Sequence, residues 1–132
     1  MRCNEERVHF SVIADGAGLS FMTDTDIYTM VGNALDNAIE AVSKLENVSE
    51  RIVSVSVKNN HGFIQLRVVN SYIGEILFKN DEPVTSKEDK AAHGFGVRSI
   101  RSIAEKYAGR LSLNAQDGLF TLNVVIPVQD KA

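Results

Sequence analysis

The sequence predicts an α/β protein, a two-layer sandwich whose mixed, mainly antiparallel sheet carries its helices on one face. Three observations lead there. Two long segments repeat apolar residues at helical spacing, and the shorter segments between them are β-rich or alternate. Most of the β-rich segments come in consecutive pairs joined by turn residues, as hairpins do. Strands paired this way and separated by helices suit a two-layer packing, whereas a doubly wound dinucleotide fold needs strict strand–helix alternation. The 132 residues fit one domain, spanning residues 1–132.

The elements follow in order. Val8 to Ala14 alternates, with Val8, Phe10 and Val12 on one side, and Asp15-Gly16-Ala17-Gly18 breaks it. Asp24 and Thr25 are N-cap candidates for a helix starting near Asp26. From Ile27 to about Leu45 the apolar positions Ile27, Met30, Val31, Ala34, Ala38 and Val42 recur at helical spacing. Ile52 to Lys58 and Phe63 to Asn70 read as strands around a turn at Asn59-Asn60-His61-Gly62. No period is sustained from Ser71 to about His93, so that stretch reads as a long loop, and such loops are usually functional or disordered. Gly94-Phe95-Gly96 then opens a second helix with Val97, Ile100, Ile103, Ala104 and Tyr107 on one face, and Gly109 is placed to end it as a C′ residue. Leu111 to Ala115 and Leu119 to Ile126 are strands joined by Gln116-Asp117-Gly118.

Composition narrows the function classes. A net charge of -3 and a pI near 5.6 argue against a nucleic-acid partner, which needs a basic footprint. A small phosphate site remains open, because backbone N–H groups can build one without net charge. The single cysteine, Cys3, leaves no internal disulfide or cysteine-built zinc site and suits a reducing compartment. No apolar run is long enough to span a bilayer, and Met1 to Arg7 lack the apolar stretch of a signal peptide. The expectation is a cytoplasmic domain that does not itself touch a membrane.

Two features carry chemistry. Asn33, Asn37, Glu40 and Lys44 form one stripe on the first helix. Asparagine competes for nearby backbone groups and is a poor helix former, so two of them one turn apart in mid-helix need a reason. The stripe is either a solvated face or a set of carboxamide oxygens aimed at a ligand or a hydrated hard cation such as Mg²⁺. Taken alone it does not decide. The second feature is His93-Gly94-Phe95-Gly96-Val97, where glycines before a helix would let backbone N–H groups approach an anion. Glycines also serve ordinary turns. No Gly-Lys-Ser/Thr follows, so this is not a Walker A loop, and no strand directly precedes it as a Rossmann fingerprint requires.

Together the two features become specific. Gly32-Asn33-Ala34-Leu35-Asp36-Asn37-Ala38-Ile39-Glu40-Ala41 resembles the N box of the GHKL (Bergerat-fold) ATPases, the superfamily of gyrase, the ninety-kilodalton heat-shock chaperone, histidine kinases and mismatch-repair MutL. His93 to Ile100 resembles its second glycine box as written in histidine kinases. With Thr85-Ser86-Lys87 between them, the wording resembles most the Agr-type branch, membrane kinases that sense peptides in quorum responses. Order and spacing agree from Val8 to Pro127.

The resemblance implies roles. Asn37 matches the N-box asparagine that coordinates Mg²⁺ bridging the ATP phosphates. Asn33 stands where hydrolysing members carry a glutamate general base; an amide cannot take a proton at neutral pH, so water activation should be poor and the γ-phosphate is saved for transfer. Glu40 falls where many histidine kinases carry a basic residue that meets the phosphates, and a carboxylate there would repel them unless it acts through the metal or turns away. Asn70-Ser71-Tyr72-Ile73-Gly74 occupies the place of the first glycine box, Asp-x-Gly-x-Gly, whose aspartate accepts from the adenine amino group. Asn70 can still accept through its carbonyl oxygen without charge assistance, at a loss of about 1 kcal/mol. Tyr72 replaces the first glycine and Gly74 remains. Gly94 and Gly96 match the glycines that bring N–H groups to phosphate, and about 76–93 would be the ATP lid, with Lys87, Lys90, His93 and Arg98 as candidates to meet phosphate oxygens and Lys87 foremost.

In such kinases the phosphoacceptor histidine lies on a separate dimerising helix hairpin. His9, His61 and His93 are the histidines here, and none stands on a helix of that kind. The resemblance therefore implies a catalytic piece of a membrane-anchored, two-component sensor kinase. It would bind Mg·ATP and serve a response regulator through the full protein, without autophosphorylating in isolation. An anti-sigma-factor-type serine kinase uses the same fold, and a degenerate interaction module would explain Asn70 and Tyr72. A gyrase-like motor does not suit Asn33.

Overall fold

The first strand leads into a helix and returns beside itself, and that unit founds the sheet. The structure is a computed structural model that describes residues 9–14, 19–73, 78–79, 82–83 and 87–129, with side chains over 19–73 and 96–129. Strand β1 (His9–Ala14) pairs in parallel with β2 (Ile52–Asn60), in register from His9 opposite Ile52 to Ala14 opposite Val57. Parallel neighbours need a crossover, and helix α1 (Asp24–Ser43) supplies it. Strand β3 (Phe63–Ser71) runs back antiparallel to β2 through a two-residue turn, His61-Gly62, with φ of 53° and 84°. Positive φ at both positions is the type I′ geometry that matches strand twist. The short pair β4 (Phe78–Lys79) and β5 (Glu82–Pro83) follows, then helix α2 (Lys87–Lys106), β6 (Arg110–Gln116) and β7 (Leu119–Pro127). Asp117 and Gly118 repeat the I′ pattern at φ of 55° and 77° between β6 and β7.

The main sheet has five strands in the order β1-β2-β3-β7-β6, so β7 enters between β3 and β6. Apart from the β1–β2 pair its ladders are antiparallel. Both helices pack on one face. Met30, Ala34 and Val42 of α1 and Ile100 and Ala104 of α2 meet Val53, Leu66, Val68, Leu122 and Val124 in one buried cluster. This is the expected mixed two-layer sandwich.

Four expectations need correction. Thr23, not Asp24 or Thr25, caps α1: its Oγ1 accepts from the Asp26 N–H at 3.1 Å. Asp24 and Asp26 are thereby left in the first turn, where carboxylates favour the positive end of the helix. The unpatterned stretch holds β4, β5 and the first turns of α2. Helix α2 begins at Lys87, about two turns before Gly94, because Glu88 and Asp89 favour a helix N-terminus and Ala91 and Ala92 are the best helix formers. Gly94 and Gly96 thus lie inside a helix instead of opening one. Finally, the left-handed C′ residue of α2 is Ala108, with φ of 62°, and Gly109 follows it. Ala108 N–H donates to Glu105 O at 3.0 Å and Gly109 N–H to Ala104 O at 2.7 Å, the two bonds of a Schellman motif. Since alanine is strained at positive φ, Ala108→Gly should stabilise the fold by about 1 kcal/mol, raising Tm by roughly 3 °C in a thermal melt.

A polar clasp joins the ends of the two helices. The Tyr107 hydroxyl donates to Asp26 Oδ2 and accepts from Thr23 N–H at 3.1 Å, while Lys106 Nζ donates to the same carboxylate at 2.7 Å. The Lys106 hydrogen bond, seconded by that of Tyr107, holds the Asp26 carboxyl below the usual carboxylate range. A depressed folded-state pKa contributes stability above the unfolded value of about 3.9 and loses it as pH falls through the folded value. Urea midpoints of the wild type and Asp26→Asn should therefore differ at neutral pH and converge as the solution is acidified below about pH 4.

Candidate functional site

Helices α1 and α2 meet where the sequence carries its two motifs. Asn33 and Asn37 are half-buried on α1. The absent side chain of Gly96 makes their room: a Cβ there would stand 3.4 Å from Asn37 Oδ1, 3.6 Å from Asn37 Nδ2 and 3.9 Å from Asn33 Cβ. The N-box stripe and the second glycine box are thus brought together by packing, which nothing in their separation along the chain requires. Lys44, last in the stripe, is exposed at the C-cap of α1.

Asn70 lies beneath the helices, near the end of β3. It shares a face with Leu66 and Val68 and is only 4% exposed. Its Nδ2 donates to Ser71 O at 3.0 Å, so the carboxamide is anchored through its donor, and no described residue donates to Oδ1. Ser71 in turn is pinned, its Oγ donating to Glu50 O at 2.5 Å and accepting from Ile52 N–H at 3.0 Å. Ser71 is the residue that motif reading passed over. The signal available was a hydroxyl at the last position of a strand, beside a buried amide. An anchored amide whose remaining polar atom is an acceptor can receive an N–H from a ligand.

The other candidates divide by position. Lys87, His93 and Gly94 lie on the backbone of α2, and their side chains are outside the described residues, as is Gly74 altogether. Within an α-helix each N–H bonds the carbonyl four residues back, so in this conformation the Gly94 and Gly96 N–H groups are engaged. The expected open anion cradle at a helix N-terminus is therefore not formed here. Among the described residues no group of three or more His, Cys, Asp or Glu could hold a metal ion. A cation at Asn37 would rest on one carboxamide oxygen and on ligands that arrive with a substrate, the usual habit of Mg²⁺. That donor set fits.

The two-layer sandwich as a whole is similar to solved structures. The nucleotide-free catalytic domain of histidine kinase ThkA aligns over 98% of this chain and 86% of its own, at a TM-score of 0.70 and 19% identity. The histidine kinase domain of the Erythrobacter litoralis EL346 blue-light activated histidine kinase aligns over 96% of this chain and 56% of its own, at 0.65 and 14% identity. For the Acinetobacter baumannii histidine kinase AdeS the figures are 98%, 58%, 0.58 and 13%. The fold is thus the one found in histidine kinase catalytic domains. No curated protein matches the chain. A family model described as the GHKL domain matches residues 22–127, and the chain belongs to that family.

Proposed function

We propose that this chain binds Mg·ATP and supplies the γ-phosphate to a histidine on a separate dimerising helix hairpin. It would be the catalytic domain of a two-component sensor kinase of the Agr-type, peptide-sensing branch, serving a response regulator. The observation that carries the reading is the meeting of Asn33 and Asn37 with Gly96. Asn37 offers the carboxamide oxygen that would hold magnesium, and Asn33 beside it withholds a base from water. Asn70, anchored through Nδ2, keeps its carboxamide oxygen as the acceptor that would meet the adenine amino group. Magnesium, when bound, would neutralise phosphate charge. The chain's own share is orientation, by the carboxamides, and charge stabilisation, by the glycine-box N–H groups.

Those N–H groups serve phosphate only if they leave the helix. The first turns of α2 therefore unwind as nucleotide binds, and the two glycines make this cheap, each costing a helix about 1 kcal/mol relative to alanine. No helix among the described residues is long and apolar enough to cross a membrane. In this proposal the domain is cytoplasmic and is carried by a membrane-anchored kinase. Calorimetric titration with ATP, with and without Mg²⁺, should give saturable, Mg²⁺-dependent binding, and far-UV circular dichroism should lose helix signal at saturation. Radiolabelled ATP should leave no stable label on the isolated chain; a stable phosphohistidine would sink the proposal of a separate acceptor. A second reading, a degenerate interaction module, draws on the helical glycine box. Absence of binding at millimolar nucleotide would favour it.

A further inference from the structure

The sheet face turned away from the helices is unlike the rest of this acidic chain. Its outward charged residues on β2, β3, β6 and β7 are Lys58, Arg67 and Arg110, all exposed, and these four strands carry no carboxylate, in a chain of net charge -3. Register sets them close together. Arg67 stands opposite Asn123, which stands opposite Ser112, while Lys58, Gln65, Val125 and Arg110 make the adjoining row. Glu50 and Asp117 lie beyond the strand ends, next to Ile52 and Leu119 and away from these cations.

The face is also shaped. Gln65, Arg67, Ser112, Asn114, Thr121 and Asn123 line a groove of about 290 Å³. Gln65 Nε2 donates to Asn123 Oδ1 at 3.0 Å, which fixes the amide pair and leaves an amino group as a donor on Asn123, the residue opposite Arg67 in the register. At the strand ends stand Ile52, Phe63 and Leu119, which are 44%, 47% and 42% exposed. Among the described residues no helix packs on this face; α1 and α2 lie on the other. Arginine and aromatic side chains with few carboxylates is the composition of protein interfaces, and the sign of charge selects the partner.

We propose that this face docks an acidic segment of a partner protein, its carboxylates meeting Arg67, Arg110 and the Asn123 amide and its apolar residues the exposed strand ends. The surface lies on the layer opposite Asn37 and Gly96, so occupancy leaves that site open, and the proposal stands independently of the nucleotide reading. The test uses a short poly-L-glutamate peptide and amide NMR of the whole chain at about 0.15 M salt, where exposed charges more than ~8 Å apart are screened. Shifts should cluster on β3, β6 and β7. The pair Arg67→Glu and Arg110→Glu should weaken binding about tenfold or more with an unchanged melting curve, and Lys44→Glu, on the helical layer, should leave it unaltered. No binding at this salt, shifts on the helical layer, or equal weakening by Lys44→Glu would overturn the proposal.

Discussion

Asn37→Ala is expected to lower the affinity for Mg·ATP on the order of 100-fold, about 2.7 kcal/mol, while leaving the fold intact. The effect is separable from folding for a physical reason. Asn37 is half-buried at mid-helix and alanine is the better helix former, so the substitution favours α1 by a few tenths of a kcal/mol. What it removes is the carboxamide oxygen beside Gly96, 3.4 Å from where a Cβ on that glycine would stand. Titration calorimetry with and without Mg²⁺ checks it. The wild type should lose most of its affinity when Mg²⁺ is withdrawn, and the variant should respond little to the metal. Asn37→Asp keeps an oxygen ligand and should retain part of the Mg²⁺ dependence. An alanine variant that binds like the wild type would remove Asn37 from the metal site, even though the family assignment would stand.

Gly109→Ala is expected to destabilise the chain by roughly 3 kcal/mol, lowering Tm by about 10 °C or unfolding it outright. A Cβ at this position would lie 2.6 Å from Ile126 Cγ1, 2.6 Å from Val125 O and 3.1 Å from Ala104 O. None of these neighbours can yield cheaply. Ile126 is fully buried, Val125 belongs to the rung opposite Arg110, and Ala104 O already accepts the Gly109 N–H. Relief means prying the α2 terminus from β7 and breaking the Schellman motif together with the first rung of β6. Thermal denaturation decides the matter: a melting point within about 2 °C of the wild type would contradict this packing. The neighbouring Ala108→Gly, predicted to stabilise, is the natural control, since one position needs a glycine for space and the other for φ.

Gly109 and the glycine box separate what local sequence can say from what it cannot. Gly109 reads as a helix terminator because glycine is the usual left-handed residue, yet Ala108 takes that conformation and Gly109 is required by contact with a strand far away in the chain. The start of α2 shows the reverse case. The glycine box reads as the opening of a helix because no period is sustained before it, but the helix-forming run Lys87 to Ala92 precedes it and carries the helix through both glycines. Asn70 was legible as a candidate only because Asn70-Ser71-Tyr72-Ile73-Gly74 occupies the place of the first glycine box. That its amide is buried, and held through Nδ2 by Ser71 O, follows only once β3 has neighbours on both sides.

By itself the sequence determined the local elements: the amphipathic run of α1, the hairpin turns within Asn59-Asn60-His61-Gly62 and Gln116-Asp117-Gly118, and the β-rich strands around them. These depend on side-chain period and on which residues tolerate positive φ, and both are properties of neighbouring positions. It also determined the family, since the N box and the second glycine box are contiguous strings. The tertiary structure decided how those pieces meet. It set the parallel pairing of β1 with β2, the entry of β7 between β3 and β6, the Tyr107–Asp26–Lys106 clasp and the approach of Gly96 to Asn37. Each of these joins residues distant in the chain, and is settled by the joint burial of two helix faces on one sheet, which no local stretch of sequence encodes.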